Sequence, residues 1–98
     1  MKILNAVSPD DFKSYSTAKI RERFLLDDLA QPGKINFAYT HYDRMIVELA
    51  MPSGETIDLP LFDILRSDYF LERREMGIIN VGGDGIISAG DEKFSLHS

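Results

Sequence analysis

Residues 8–30 carry helix-type punctuation. Ser8-Pro9-Asp10-Asp11 supplies a hydroxyl that can cap free amides, a proline tolerated at the first helical position, and two acids suited to the positive end of the helix dipole. A short helix is expected there. Ser16-Thr17 offers a second cap for a helix over 18–24, while Phe24-Leu25-Leu26 reads equally as the end of that helix or the start of a strand. Gln31-Pro32-Gly33 is a turn.

From Ile35 the period changes to two. Ile35, Phe37 and Tyr39 point one way, and Asn36, Ala38 and Thr40 the other. Residues 44–51 repeat the pattern, with Met45, Val47, Leu49 and Met51 on one face and Arg44, Ile46, Glu48 and Ala50 on the opposite one. After Pro52-Ser53-Gly54, residues 55–61 place Ile57, Leu59 and Leu61 together, and Pro60 limits pairing near the end. These three segments predict a meander. One helical turn fits within 62–68, and the turns Gly82-Gly83-Asp84-Gly85 and Ala89-Gly90-Asp91-Glu92 set off two short strands, 86–88 and 93–97. The fold class expected is mainly β: a partial barrel or sandwich of antiparallel strands with one or two short N-terminal helices.

One stretch resists the pattern. Glu72-Arg73-Arg74-Glu75 drives four charges between Tyr69-Phe70-Leu71 and the apolar run 76–81. In a helix, Glu72 and Glu75 would be like charges three apart on one face, and Gly77 would weaken the next turn. In a strand, Glu72 and Arg74 share one face and Arg73 and Glu75 the other, so each face is near neutral. The strand is the favoured reading, either as an exposed charged face or as ions lining a cavity.

Composition narrows the class. The chain has 98 residues, enough for one domain with a modest core, and its 44% apolar and 28% charged residues are those of an ordinary globular protein. No apolar run approaches a membrane span, and the N-terminal MKILNAVSPDD is too short in apolar residues for a signal peptide, so a cytoplasmic location without membrane partners is expected. There is no cysteine, which removes disulfides and thiolate metal sites. The net charge of -5 comes from interspersed acids and bases, which argues against a nucleic-acid surface. Gly82-Gly83-Asp84-Gly85 lacks the G-K-[ST] and following helix of a phosphate loop.

Glu75 is followed by six residues and Gly82, a spacing that resembles the second half of the first cupin motif, G-x5-H-x-H-x3,4-E-x6-G. HYDRMIV, SDYFLERREMGIINVGGDG and EKFSL, in this order, are similar to the N-terminal part of the bacterial 5-keto-4-deoxyuronate isomerases, also named 4-deoxy-L-threo-5-hexosulose-uronate ketol-isomerases. The resemblance runs from about Thr17 to the end. It implies one incomplete N-terminal cupin-like domain over 1–98, a ketol-isomerase of pectin and uronate breakdown as the intact protein, zinc in the half that follows, and a homo-oligomer.

The departures from the motif sharpen the expectation. Counting back from Glu75, the two motif histidines fall on Tyr69 and Leu71, or on Asp68 and Phe70. Neutral imidazoles are what such a site uses to hold a transition metal while leaving positions open. The chain has two histidines, His41 and His97, so no catalytic residue, metal site or cofactor is expected in it. Arg73 and Arg74, with Glu72 and Glu75, are candidates for an ion-pair ladder, an interface, or contact with a sugar-acid carboxylate, which matches the guanidinium fork. His41-Tyr42-Asp43-Arg44 reads as a turn in which Asp43 accepts backbone hydrogen bonds, and the resemblance adds an interface or pocket role for His41 and Arg44. Two alternatives stay open: a non-catalytic cupin-like assembly module, and part of a deoxy-glucuronate isomerase of inositol breakdown.

Overall fold

The computed structural model describes residues 1–98, and they form two compact units, Met1–Leu59 and Pro60–Ser98. The fold is mainly β, with two short helices near the N-terminus and no closed barrel. No helix is long and apolar enough to cross a membrane.

In the first unit, the helices begin where the hydroxyl caps stand. Ser8 Oγ accepts the Asp11 N–H at 3.1 Å to open α1 (Pro9–Phe12), and Ser16 Oγ accepts the Lys19 N–H at 3.2 Å to open α2 (Thr17–Phe24). Each such cap is typically worth about 1 kcal/mol. Leu25 is extended and ends α2, so Phe24-Leu25-Leu26 closes a helix and starts no strand. The Phe12 ring meets Phe24 edge-on at 5.7 Å, and Phe24 lies 6.2 Å from Tyr42, whose hydroxyl accepts the Val7 N–H at 3.0 Å. Aromatic contacts thereby tie both helices to the turn at residues 41–44.

The sheet has the order β1 (Lys2–Leu4), β2 (Lys34–Thr40), β3 (Ile46–Met51). β2 and β3 pair antiparallel and β1 joins β2 in parallel, so β2 is central and carries core residues on both faces. On one face lie Ala38, Thr40 and Leu4, all buried. Asn36 on that face donates to the Leu29 carbonyl at 2.8 Å, and Lys2 reaches Asp28 at 3.7 Å, which holds the segment after α2 over the sheet. On the other face Phe37 is 5% exposed and stands directly opposite Glu48. Burial of a side chain such as Phe37 stabilises by about 2–3 kcal/mol.

Three expectations need correction. Residues 55–61 are not a strand; the third strand is β1, which occupies the other edge of β2. Pro60 lacks an amide and constrains Leu59 before it, and the apolar residues of this segment, Leu59 at 38% and Leu61 at 51% exposure, have no covered face to enter. Arg44 is likewise outside β3. Asp43 and Arg44 both adopt positive φ, 54° and 51°, and Met45 N–H donates to the Tyr42 carbonyl at 3.3 Å, giving a type I′ turn whose twist suits a hairpin. The side chain that organises this turn is Thr40, which accepts the Tyr42 N–H and donates to the Tyr42 carbonyl.

The third correction lies in the second unit. The charged tetrad is not a strand: residues 70–73 form a turn, with Glu72 N–H donating to the Tyr69 carbonyl at 3.1 Å, and Arg74 and Glu75 continue as irregular chain. Alternation therefore does not distribute these four charges between two faces. The turn follows a short 3-10 helix, Asp63–Leu65, within the stretch expected to hold one helical turn. Further on, β4 (Gly85–Ala89) and β5 (Glu92–Leu96) form a hairpin around Gly90-Asp91. Gly90 has φ of 59°, and Asp91 does not share the positive value, as in a type II′ turn with glycine first. Asn80 fastens the preceding glycine loop by donating to the carbonyls of Gly83 and Leu96 and accepting the Gly82 N–H.

Candidate functional site

The second unit holds a small concave site of about 200 Å³ built from the segment between Leu61 and Arg73. The 3-10 helix presents Asp63 and ends at Arg66, which adopts a left-handed conformation (φ 48°, ψ 46°) and donates its N–H to the Asp63 carbonyl. That conformation is uncommon for a residue with a side chain and turns the chain sharply. Ser67 and Asp68 follow, and the Asp68 N–H donates to Glu72 Oε2 at 2.6 Å, a charge-assisted bond that closes the loop on the turn behind it. Asp63, Arg66, Ser67, Asp68, Glu72 and Arg73 line the concavity, with apolar surface from Leu61 and Phe62.

Two cations and three carboxylates thus face one small space. Ser67 Oγ is buried there without a hydrogen-bond partner. Neither Arg66 nor Arg73 takes part in the ion pairs Lys2–Asp28, Lys13–Asp10, Arg21–Asp27 and His97–Asp84. Such a lining can bind a carboxylate through a guanidinium and hydroxyls through carboxylates.

The structure separates the residues singled out in the sequence. Glu72 and Arg73 line the concavity, Arg74 and Glu75 do not, and His41 and Arg44 belong to the other unit, in the turn between β2 and β3. His41 donates its N–H to the Leu4 carbonyl at 2.9 Å, and its ring meets Tyr39 edge-on at 5.2 Å. Asp63, Arg66, Ser67 and Asp68 were not anticipated, because their convergence depends on the left-handed Arg66, which no local pattern signals. Glu48 was also passed over. It is half-buried opposite Phe37, its Oε2 is without a partner, and burial pushes its carboxyl above the ordinary glutamate value.

Zinc is what the resemblance implies for the intact protein. His41 lies in the first unit against Tyr39, His97 lies in the second with Nδ1 3.2 Å from Asp84, and no group of three or more His, Cys, Asp or Glu is placed to hold a metal.

No family model matches the chain. Curated relatives do. The 4-deoxy-L-threo-5-hexosulose-uronate ketol-isomerase of Shouchella clausii is 45% identical over 96 residues, covering 98% of this chain and 35% of its own. Ketol-isomerase 1 of Bacteroides thetaiotaomicron is 48% identical over 95 residues (97% of this chain, 34% of its own). The Halalkalibacterium halodurans protein is 50% identical over 92 residues (94% and 33%). The chain spans about one third of the length of the relatives it matches. Over nearly its whole length, then, it is homologous to part of the 4-deoxy-L-threo-5-hexosulose-uronate ketol-isomerases.

Proposed function

We propose that this chain is the N-terminal, cupin-like scaffold segment of a uronate ketol-isomerase, which interconverts 5-keto-4-deoxyuronate and its diketo-acid isomer in pectin and uronate breakdown. The observation that carries this reading is identity of 45–50% to proteins of that name over nearly the entire chain. An aldose–ketose isomerisation moves a hydrogen between two adjacent carbons through an enediol, so it needs a base placed at the carbon and a group that polarises the carbonyl. Within this chain Glu72 braces a loop and Glu48 stands opposite a buried ring. The reacting groups belong to the rest of the polypeptide, and this segment supports them. Assays of 5-keto-4-deoxyuronate conversion by NMR are expected to give turnover with a polypeptide as long as the relatives and none with the 98-residue chain. No turnover by the longer protein overturns the isomerase assignment, and turnover by the short one overturns the scaffold role. Preference for deoxy-glucuronate would instead assign it to the inositol-pathway enzymes.

A second reading, a non-catalytic assembly module that pairs with another copy of itself, is favoured by the exposure of Ile79 and Val81, at 88% and 84%.

A further inference from the structure

We propose that Asp84 is a site of spontaneous isoaspartate formation through the Gly85 amide, with His97 as proton donor to the departing oxygen. No other aspartate or asparagine of the chain precedes a glycine. The following residue matters because a side chain on it crowds its own nitrogen and narrows the backbone conformations in which that nitrogen reaches the carboxyl carbon. At Gly85 there is no such side chain. The Asp84 side chain is 73% exposed, where the glycine loop joins β4. Gly85 is the first residue of β4 and pairs with Leu96 at the end of β5. Strand ends open before strand centres, and this hairpin has only two strands, so the Gly85 amide leaves its pairing at little cost.

The acid is supplied from the other strand. His97 follows β5, and its Nδ1 lies 3.2 Å from Asp84 Oδ1. In the ring-closing step the Gly85 nitrogen bonds to Asp84 Cγ and one carboxylate oxygen departs as water. That water carries two protons, one from the His97 imidazolium and one from the Gly85 N–H by way of solvent, and solvent then reprotonates His97. A second water attacks the main-chain carbonyl carbon of Asp84 in the cyclic imide and breaks its bond to the Gly85 nitrogen, which regains a proton. The peptide now runs through Cβ and Cγ. Mass is unchanged and no oxidant takes part, but the backbone at the entry to β4 is one carbon longer, which disrupts the Gly85–Leu96 pairing and the Asp84–His97 contact.

The 98-residue chain is incubated at physiological temperature and mildly acidic pH, isoaspartate is measured by methyl transfer with an isoaspartyl methyltransferase, and its position is read by electron-transfer fragmentation of the peptides. Isoaspartate is expected to accumulate at residue 84 ahead of every other aspartate. Gly85→Ala should slow it at least about tenfold, and this variant keeps the fold because Gly85 has no positive φ and a Cβ there meets nothing within 4 Å. His97→Gln should slow it about tenfold, less than a buried catalytic acid contributes, since the pair is exposed. His97→Lys keeps a cation that holds its proton more tightly, so it should remain as slow as His97→Gln, which separates proton donation from charge alone. Isoaspartate appearing first at another residue, no accumulation at residue 84, or Gly85→Ala or either His97 variant reacting as fast as the original chain would overturn the proposal.

Discussion

Glu72 turns back on its own loop, and its Oε2 accepts the Asp68 backbone N–H at 2.6 Å. This bond explains one member of the charged tetrad that divides two apolar stretches: Glu72 is a loop brace. An ionised acceptor makes a stronger bond than a neutral one, although partial exposure limits its net worth. Glu72→Ala should cost about 0.5–1.5 kcal/mol, and Glu72→Gln, which keeps a neutral oxygen, about half of that. Native-state hydrogen exchange checks it residue by residue. The Asp68 amide is expected to lose protection in Glu72→Ala while the amides of β2 keep theirs; unchanged Asp68 protection would show that the carboxylate contributes nothing to the loop.

How far the sequence discloses this fold depends on the range of the interactions involved. The Ser8 and Ser16 caps, the Gly33 and Gly90 turns and the alternation of 35–40 are local, and each is found where the residues place it. The failures are non-local. Lys2–Leu4 is too short to show a period, yet it becomes a strand because β2 offers it a parallel edge. Residues 55–61 have the period but Pro60 in place of a donor, and remain irregular. The tetrad resembles a strand only while its neighbours are assumed extended, and the left-handed Arg66 just upstream removes that assumption. Two of the six polar residues of the candidate site, Glu72 and Arg73, were legible as charges, and the other four are brought in by that single backbone reversal.

Glu48 makes the stability of the first unit depend on pH with a definite sign. Its carboxyl is held above the ordinary glutamate range by burial, so the folded protein binds this proton more tightly than the unfolded chain does. The contribution favours folding while Glu48 is protonated. It declines as pH rises from the ordinary glutamate value through the raised folded one, and stays at its unfavourable limit above that. Glu48→Gln keeps the shape and removes the charge, so the melting temperature should rise at about pH 7 and change little at about pH 4. Thermal melts at the two pH values decide it. A Glu48→Gln protein less stable at neutral pH would mean that the carboxylate has a favourable partner.

The last expectation concerns the apolar surface of the second unit. Ile79 at 88% and Val81 at 84% exposure lie in irregular chain between the tetrad and the glycine loop, and Ile86 on β4 is 68% exposed. The hairpin beyond them has only two strands, and two strands alone are marginal in water unless something packs against them. A second copy covering Ile79 and Val81 would remove both from solvent, each worth about 1.5–3 kcal/mol when fully buried. Sedimentation velocity over a concentration series should therefore reveal reversible self-association of the 98-residue chain at micromolar concentration. Replacing both residues with lysine, Ile79→Lys with Val81→Lys, should weaken that association at least about tenfold, since the apolar gain is lost and like charges are brought together. The aromatic contacts of the first unit provide the folding control, because Phe12, Phe24 and Tyr42 lie outside the substituted segment and their NMR signals should be unchanged. A chain that stays monomeric throughout the series, or a folded double variant that associates as strongly as the original, would rule out this surface as the point of assembly.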